Sequence, residues 1–328
     1  MTAPVHPGYF ADPHVLRLAD GTYVAYGTAR PGDSGRPGDA GHSGGRVERV
    51  FEALTSPDLL HWEERGPVLA RLPESFGDDY WAPEVVERDG CWWMYFSVGR
   101  GIEGHHLRVA RADDPLGPFV DQGVNLTPDE TFAIDAHPFV DIDGTAYLFF
   151  ARDVLDHERA GTHLAVTRLT SPTETGGDAR VVLVPNADWQ IYERDRTMYG
   201  RTLDWHTLEG PAVVRRGGRY WLTYSGGAWT GERYAVSWAV ADHPLGPWQH
   251  APAGSEPLLA SGFHGLTGPG HNSLTVAPDG GDVIVFHAWD AAHDSRRMHV
   301  HRIAFPTDGP WVDGPLQGPF PSGGRSRS

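Results

Sequence analysis

Asp12-Pro13-His14-Val15-Leu16-Arg17, then Leu18-Ala19-Asp20-Gly21, then Thr22-Tyr23-Val24-Ala25-Tyr26, gives a short run, an Asp-Gly signal and an aromatic, β-branched run. That order predicts a β-hairpin, because glycine supplies the positive φ of a turn and the flanking residues suit a pleated surface. The order returns with Asp89-Gly90 before Trp92-Trp93-Met94-Tyr95-Phe96 and with Asp143-Gly144 before Ala146-Tyr147-Leu148-Phe149-Phe150. It returns again with Gly217-Gly218 before Arg219-Tyr220-Trp221-Leu222-Thr223-Tyr224, and with Gly280-Gly281. The turn glycines 21, 90, 144, 218 and 280 are separated by 69, 54, 74 and 62 residues. No long stretch carries a 3.6-residue apolar period, so the chain reads as all-β. Five hairpin-bearing units, each with room for about four short strands, predict a five-bladed β-propeller over residues 1–320. A β-sandwich also offers many short strands, but it gives no reason for one position to recur five times.

Nine residues before each turn glycine stand Asp12, Trp81, Asp135, Glu209 and His271. In a propeller the innermost strands converge on the central channel, so these positions are expected to meet at its mouth. Three like-charged groups at one place raise at least one pKa and cost stability, which is tolerated mainly where the charges are used. One ionised carboxylate to activate water and one protonated carboxyl to donate to a leaving oxygen would hydrolyse a glycosidic bond. Trp81 offers either a flat apolar face to a sugar or an ordinary core contact. His271 can hydrogen-bond a sugar or ligate an ion.

The chain of 328 residues carries 27 Lys+Arg against 43 Asp+Glu, a net charge of −16. That balance disfavours nucleic acid and anionic membrane surfaces as partners. No apolar stretch is long enough to span a bilayer. The opening residues show no basic segment and no apolar stretch of signal type, so a cytoplasmic location is expected. A single cysteine, Cys91, excludes internal disulfides and is expected to be an inert core thiol.

Phe10-Ala11-Asp12-Pro13, Tyr80-Trp81-Ala82-Pro83-Glu84-Val85, Ala133-Ile134-Asp135, Leu208-Glu209-Gly210-Pro211, Tyr224-Ser225-Gly226-Gly227 and Gly270-His271-Asn272-Ser273 resemble, in order and spacing, glycoside hydrolase family 43. The resemblance covers nearly the whole chain. It implies a five-bladed propeller that cleaves arabinose- or xylose-containing glycans with inversion. It further implies Asp12 as general base, Glu209 as general acid and Asp135 as the aspartate that tunes the acid's pKa. Trp81 and His271 become sugar-binding positions, and His271 the contact, through water, to a calcium or sodium ion in the channel. No other cofactor is implied. Ala136 stands where the family's commoner form has proline. Inversion predicts that the Asp12 and Glu209 carboxyls stand roughly 6.5–9.5 Å apart.

The expected activity is exo-hydrolysis of terminal α-L-arabinofuranosyl residues from short oligosaccharides. A β-D-xylosidase or another furanosidase of the same family is the alternative, and a sugar-binding propeller without catalysis the non-enzymatic one. The chain is expected to stop after the propeller, without the added β-sandwich domain that many family β-xylosidases carry, which favours arabinofuranose. Gly-rich residues 31–46 are expected to form a flexible insertion and 321–328 a disordered tail. His293, His299 and His301 lack a metal-binding motif and are expected to pack or face solvent. The resemblance implies a sugar-contacting arginine in the neighbourhood of Arg296 and Arg297, without assigning that role to either. Oligomeric state is not legible in the sequence.

Overall fold

The computed structural model describes residues 2–28 and 49–320; the Gly-rich stretch and the tail expected above lie outside these. The described chain is all-β, apart from three short 3₁₀ turns at Glu74–Phe76, Asp188–Gln190 and Phe263–Gly265. No helix among the described residues is long and apolar enough to cross a membrane.

Five antiparallel meanders follow one another. The first holds β1 (Ala11–Arg17), β2 (Tyr23–Thr28), β3 (Arg49–Ser56) and β4 (Glu63–Ala70). The second holds β5 (Asp79–Arg88), β6 (Cys91–Arg100), β7 (Glu103–Ala112) and β8 (Val120–Asn125). The third runs through β9 (Ala133–Val140), β10 (Ala146–Val154) and β11 (Gly161–Ser171), edged by the short β12 (Glu174–Thr175) and β13 (Arg180–Leu183). After β14 (Ile191–Met198), the fourth holds β15 (Arg201–Arg216), β16 (Arg219–Gly226), β17 (Ala235–Ala241) and β18 (Gln249–His250). The last holds β19 (Thr267–Val276), β20 (Asp282–Trp289), β21 (Arg296–Ala304) and β22 (Trp311–Pro315). The third and fourth meanders share one ten-stranded sheet, because the long β15, which also pairs with β14, pairs with β11 in parallel.

The leading strands pack side by side: β1 on β5, β5 on β9, β9 on β15, β15 on β19, and β19 back on β1. Separate apolar clusters fill the spaces between neighbours. Val24, Tyr26, Met94 and Phe96 join the first two meanders, and Val15, Tyr23, Val285 and Met298 join the last to the first. Their aromatic and branched side chains fit pleated surfaces covered on both faces. Two segments of similar sequence, Ala112-Asp113-Asp114-Pro115-Leu116-Gly117-Pro118-Phe119 and Ala241-Asp242-His243-Pro244-Leu245-Gly246-Pro247-Trp248, fold alike, each with a cis Gly-Pro bond and a buried final ring. Cys91 departs from expectation: it opens β6 partly exposed, and its sulfur accepts a hydrogen bond from Arg111.

Every leading strand carries a β-bulge at one register, opposite its second strand. The first bulge residue is Asp12, Ala82, Asp135, Gly210 or His271, and all five have positive φ, from +44° to +60°. A left-handed conformation costs a non-glycine residue about 1–2 kcal/mol, and such strain collects where the surroundings over-determine it. The nine-residue count therefore holds in β1, β9 and β19 but slips by one in β5 and β15, where Trp81 and Glu209 precede the bulge residue. Turn length is the cause. Arg88–Cys91 and Arg216–Arg219 close two-residue turns with both central residues at positive φ. Arg17–Tyr23, Val140–Ala146 and Val276–Asp282 close longer loops.

Candidate active site

Side chains of the second strands hold the bulges from behind. Thr28, Ser97, Ser225 and His287 occupy equivalent places, paired with the residue before each bulge. The Ala82 N–H donates to Thr28 Oγ1 at 2.8 Å, Asp135 N–H to Ser97 Oγ at 3.0 Å, and His271 N–H to Ser225 Oγ at 2.7 Å. Asp12 N–H donates to His287 Nδ1 at 3.1 Å. The fifth place holds Ala151, which offers no acceptor, and Gly210 N–H donates instead to Asp135 Oδ2 at 2.9 Å. Asp135 thus secures the residue that follows Glu209. Glycine is needed at 210, where φ is +55° and an added Cβ would lie 3.1 Å from the His271 ring. Ala136, in the commoner proline's place, leaves the bulge at Asp135 intact.

Asp12, Trp81, Asp135, Glu209 and His271 all line one cavity of about 990 Å³, within the size range of small-ligand sites. Asp12 Oδ1 accepts from Arg296 Nη1 at 3.1 Å and lies 3.5 Å from His271 Nδ1. Burial opposes ionisation of Asp12, yet Arg296 and His271 outweigh it and hold the carboxyl well below the usual range. Burial, reinforced by the negative charge of Asp135, pushes Glu209 up to about 8, against the opposing Tyr234 hydrogen bond. Tyr234 Oη donates that bond to Glu209 Oε1 at 2.6 Å. Burial likewise lifts Asp135 to about 6. His271 lies between two carboxylates, 3.9 Å from Asp135 Oδ2; burial disfavours its proton, but Asp12 and Asp135 more than compensate and its pKa is raised. Near neutral pH the cavity therefore sets an ionised carboxylate, Asp12, against a protonated one, Glu209.

Trp81 lies partly buried and stacks on His105, ring centroids 3.7 Å apart and planes 17° apart. Of the two arginines, Arg296 reaches the Asp12 carboxylate. It is buried, lies 4.5 Å from the Trp229 ring and donates to Tyr9 Oη, whereas Arg297 pairs with Asp290. Tyr9, Trp229, Tyr234 and His287 escaped the sequence reading. The first three lie outside strands and follow no repeat, but His287 shares the register of Thr28, Ser97 and Ser225. His299 and His301 are buried and packed on Phe286.

Asp135, Glu209 and His271 bring one ligand atom each within 4.8 Å of one another, close enough to surround a cation. Direct coordination would have to displace a proton from His271, which holds it more firmly than usual, and from Glu209, which keeps its own up to about 8.

The model of "Glycosyl hydrolases family 43" matches residues 1–312. An "Extracellular exo-alpha-(1->5)-L-arabinofuranosidase" of Streptomyces avermitilis is 28% identical over 91% of this chain and 60% of its own length. The "Beta-D-galactofuranosidase xynD" of Aspergillus niger is 29% identical over 92% of this chain and 81% of its own. This chain therefore spans less than two thirds of the first relative. The word "extracellular" in that relative's name lends no support to a cytoplasmic location. The crystal structure of a thermostable family-43 glycoside hydrolase superposes with a TM-score of 0.78 at 29% identity, covering 99% of this chain and all of that one. With the matched family model spanning almost its whole length, the chain belongs to the glycosyl hydrolases of family 43.

Proposed function

We propose that this chain is an inverting exo-glycosidase that releases terminal α-L-arabinofuranosyl residues from short oligosaccharides. The observation that carries the reading is the pair of carboxyls held at opposite protonation states in one cavity. Asp12, ionised, takes a proton from a water that attacks the anomeric carbon. Glu209, protonated, gives its proton to the leaving oxygen as the glycosidic bond breaks. Asp135 adds charge beside Glu209 and holds Gly210, so it sets both the acid's affinity for its proton and its position. Trp81 offers a ring face to the sugar, and Arg296 keeps Asp12 charged. Hydrolysis consumes only water, and the chemistry requires no organic cofactor.

The five meanders are proposed as the blades of one propeller domain over residues 1–320, a reading supported by the leading strands packed in cyclic order. The arabinofuranose preference is supported by the Streptomyces relative. The Aspergillus relative favours a second reading, β-D-galactofuranoside, and β-D-xyloside is the third sugar to test. Turnover of the three aryl glycosides, followed by NMR of the first-formed anomer, tests both sugar and stereochemistry. Arabinofuranoside cleavage giving the inverted β-anomer is expected. A retained α-anomer would end the water-attack mechanism, and preference for another glycoside would end the sugar assignment.

A further inference from the structure

His287 fills the place on β20 that Thr28, Ser97 and Ser225 fill on β2, β6 and β16. Three hydroxyls thus accept the N–H of the next bulge, and one imidazole does so for Asp12. A hydroxyl suffices for that bond elsewhere, so the ring calls for another reason. The His287 side chain is fully buried and lies nearly parallel to the Tyr234 ring, centroids 5.8 Å and planes 12° apart. Tyr234 is the phenol that donates to Glu209. Gly270, the residue paired with His287, leaves room for the Tyr234 ring where any Cβ would collide with it. Nδ1 of His287, the acceptor of the Asp12 N–H, also lies 3.2 Å from Asp12 Oδ1, a packing contact and not a hydrogen bond. One side chain therefore touches both the carboxylate read as the base and the partner of the carboxyl read as the acid.

The geometry points to His287 as a positioning residue that fixes Asp12 through its backbone N–H and Glu209 through the Tyr234 ring, acting as a neutral imidazole with the proton on Nε2. An unprotonated Nδ1 is what the Asp12 N–H requires. Burial, which lowers the pKa of His287 to about 4, keeps the ring neutral. Nε2 has no hydrogen-bond partner among the described residues, so its polar hydrogen is retained in the interior at a cost. A purely structural site would favour the cheaper serine.

This inference rests on the roles proposed for Asp12 and Glu209, and the test separates the two. His287→Ala is expected to lower kcat roughly 10- to 100-fold, since small misplacement of reacting groups has large effects. KM should stay within about threefold, because sugar contacts are untouched. His287→Ser, which restores the hydroxyl of the other strands, should recover part of the lost kcat and leave the Tyr234-dependent part missing. An alanine variant with parental kcat overturns the inference, as does a serine variant no better than alanine. Asp12→Asn serves as control. If it keeps parental turnover, the base assignment itself has failed; if it is inactive while His287→Ala is not, only the role of His287 has. Should the alanine variant not fold, ¹⁵N-histidine NMR of the parent decides, with the His287 signals assigned by their loss in the serine variant. An unprotonated Nδ1 is expected, and a protonated Nδ1 there overturns the inference.

Discussion

β1 and β15 carry the same bulge and use it differently. In β1 the left-handed residue is itself the proposed base, Asp12, whereas in β15 it is Gly210 and the proposed acid is the preceding Glu209. The two carboxyls consequently meet different neighbours: Arg296 and His271 for Asp12, Asp135 and a phenol for Glu209. A displacement of one residue along a repeated strand thus separates two chemically similar groups into a persistent anion and a persistent acid. β5 makes the contrast sharper. It repeats the β15 arrangement with Ala82 at the bulge and Trp81 before it, and places no charge in the cavity from either residue.

The harshest way to break the contrast is to abolish one partner. Glu209→Gln and Asp12→Asn should each lower kcat by ~10²–10⁴ while the melting temperature changes little, checked by steady-state kinetics and calorimetry. Next comes the backbone. Gly210→Ala places a methyl against the His271 ring at positive φ, and should cost about 1–3 kcal/mol of stability and at least about tenfold in kcat. Ala82→Gly relieves the same conformation where no reacting group depends on it, so kcat should hold while stability changes by under about 1 kcal/mol, set by strain relief against lost chain restriction. Equal kinetic losses from both would mean that the bulges serve the fold alone.

Trp81→Ala should raise KM by roughly tenfold with a smaller effect on kcat, the signature of lost sugar contact. The smallest effect concerns pH. As the proposed acid, Glu209 must be protonated to act, so kcat should fall as pH rises through about 8. The Tyr234 hydrogen bond favours the ionised form of Glu209, so Tyr234→Phe should move that limb to higher pH. A limb that moves downward, or stays fixed, would detach Tyr234 from the acid.

Much of this was legible because turn glycines and aromatic strands repeat in the chain. The count back from Gly21, Gly144 and Gly280 lands on the bulge itself. The count from Gly90 and Gly218 misses it by one, since a two-residue turn places its glycine nearer to the bulge than a longer loop does. The five site residues nevertheless line one cavity, because the residue before the bulge also faces it. Tyr234 and Trp229 were illegible for a different reason: they stand in the connection between β16 and β17, where no period constrains the chain. Arg296 and Arg297 were visible only as a pair, and the choice between them depends on which one meets a carboxylate across the last and first meanders.

That junction has a consequence for biosynthesis. Asp12 lies 275 residues before His287 and 284 before Arg296, its backbone and side-chain partners. During translation Asp12 leaves the ribosome long before the meander that counters its charge. Contacts so distant in sequence form late, after shorter loops have closed. Until β20 and β21 have emerged, Asp12 lacks both the imidazole that holds its backbone N–H and the guanidinium that keeps its carboxyl ionised.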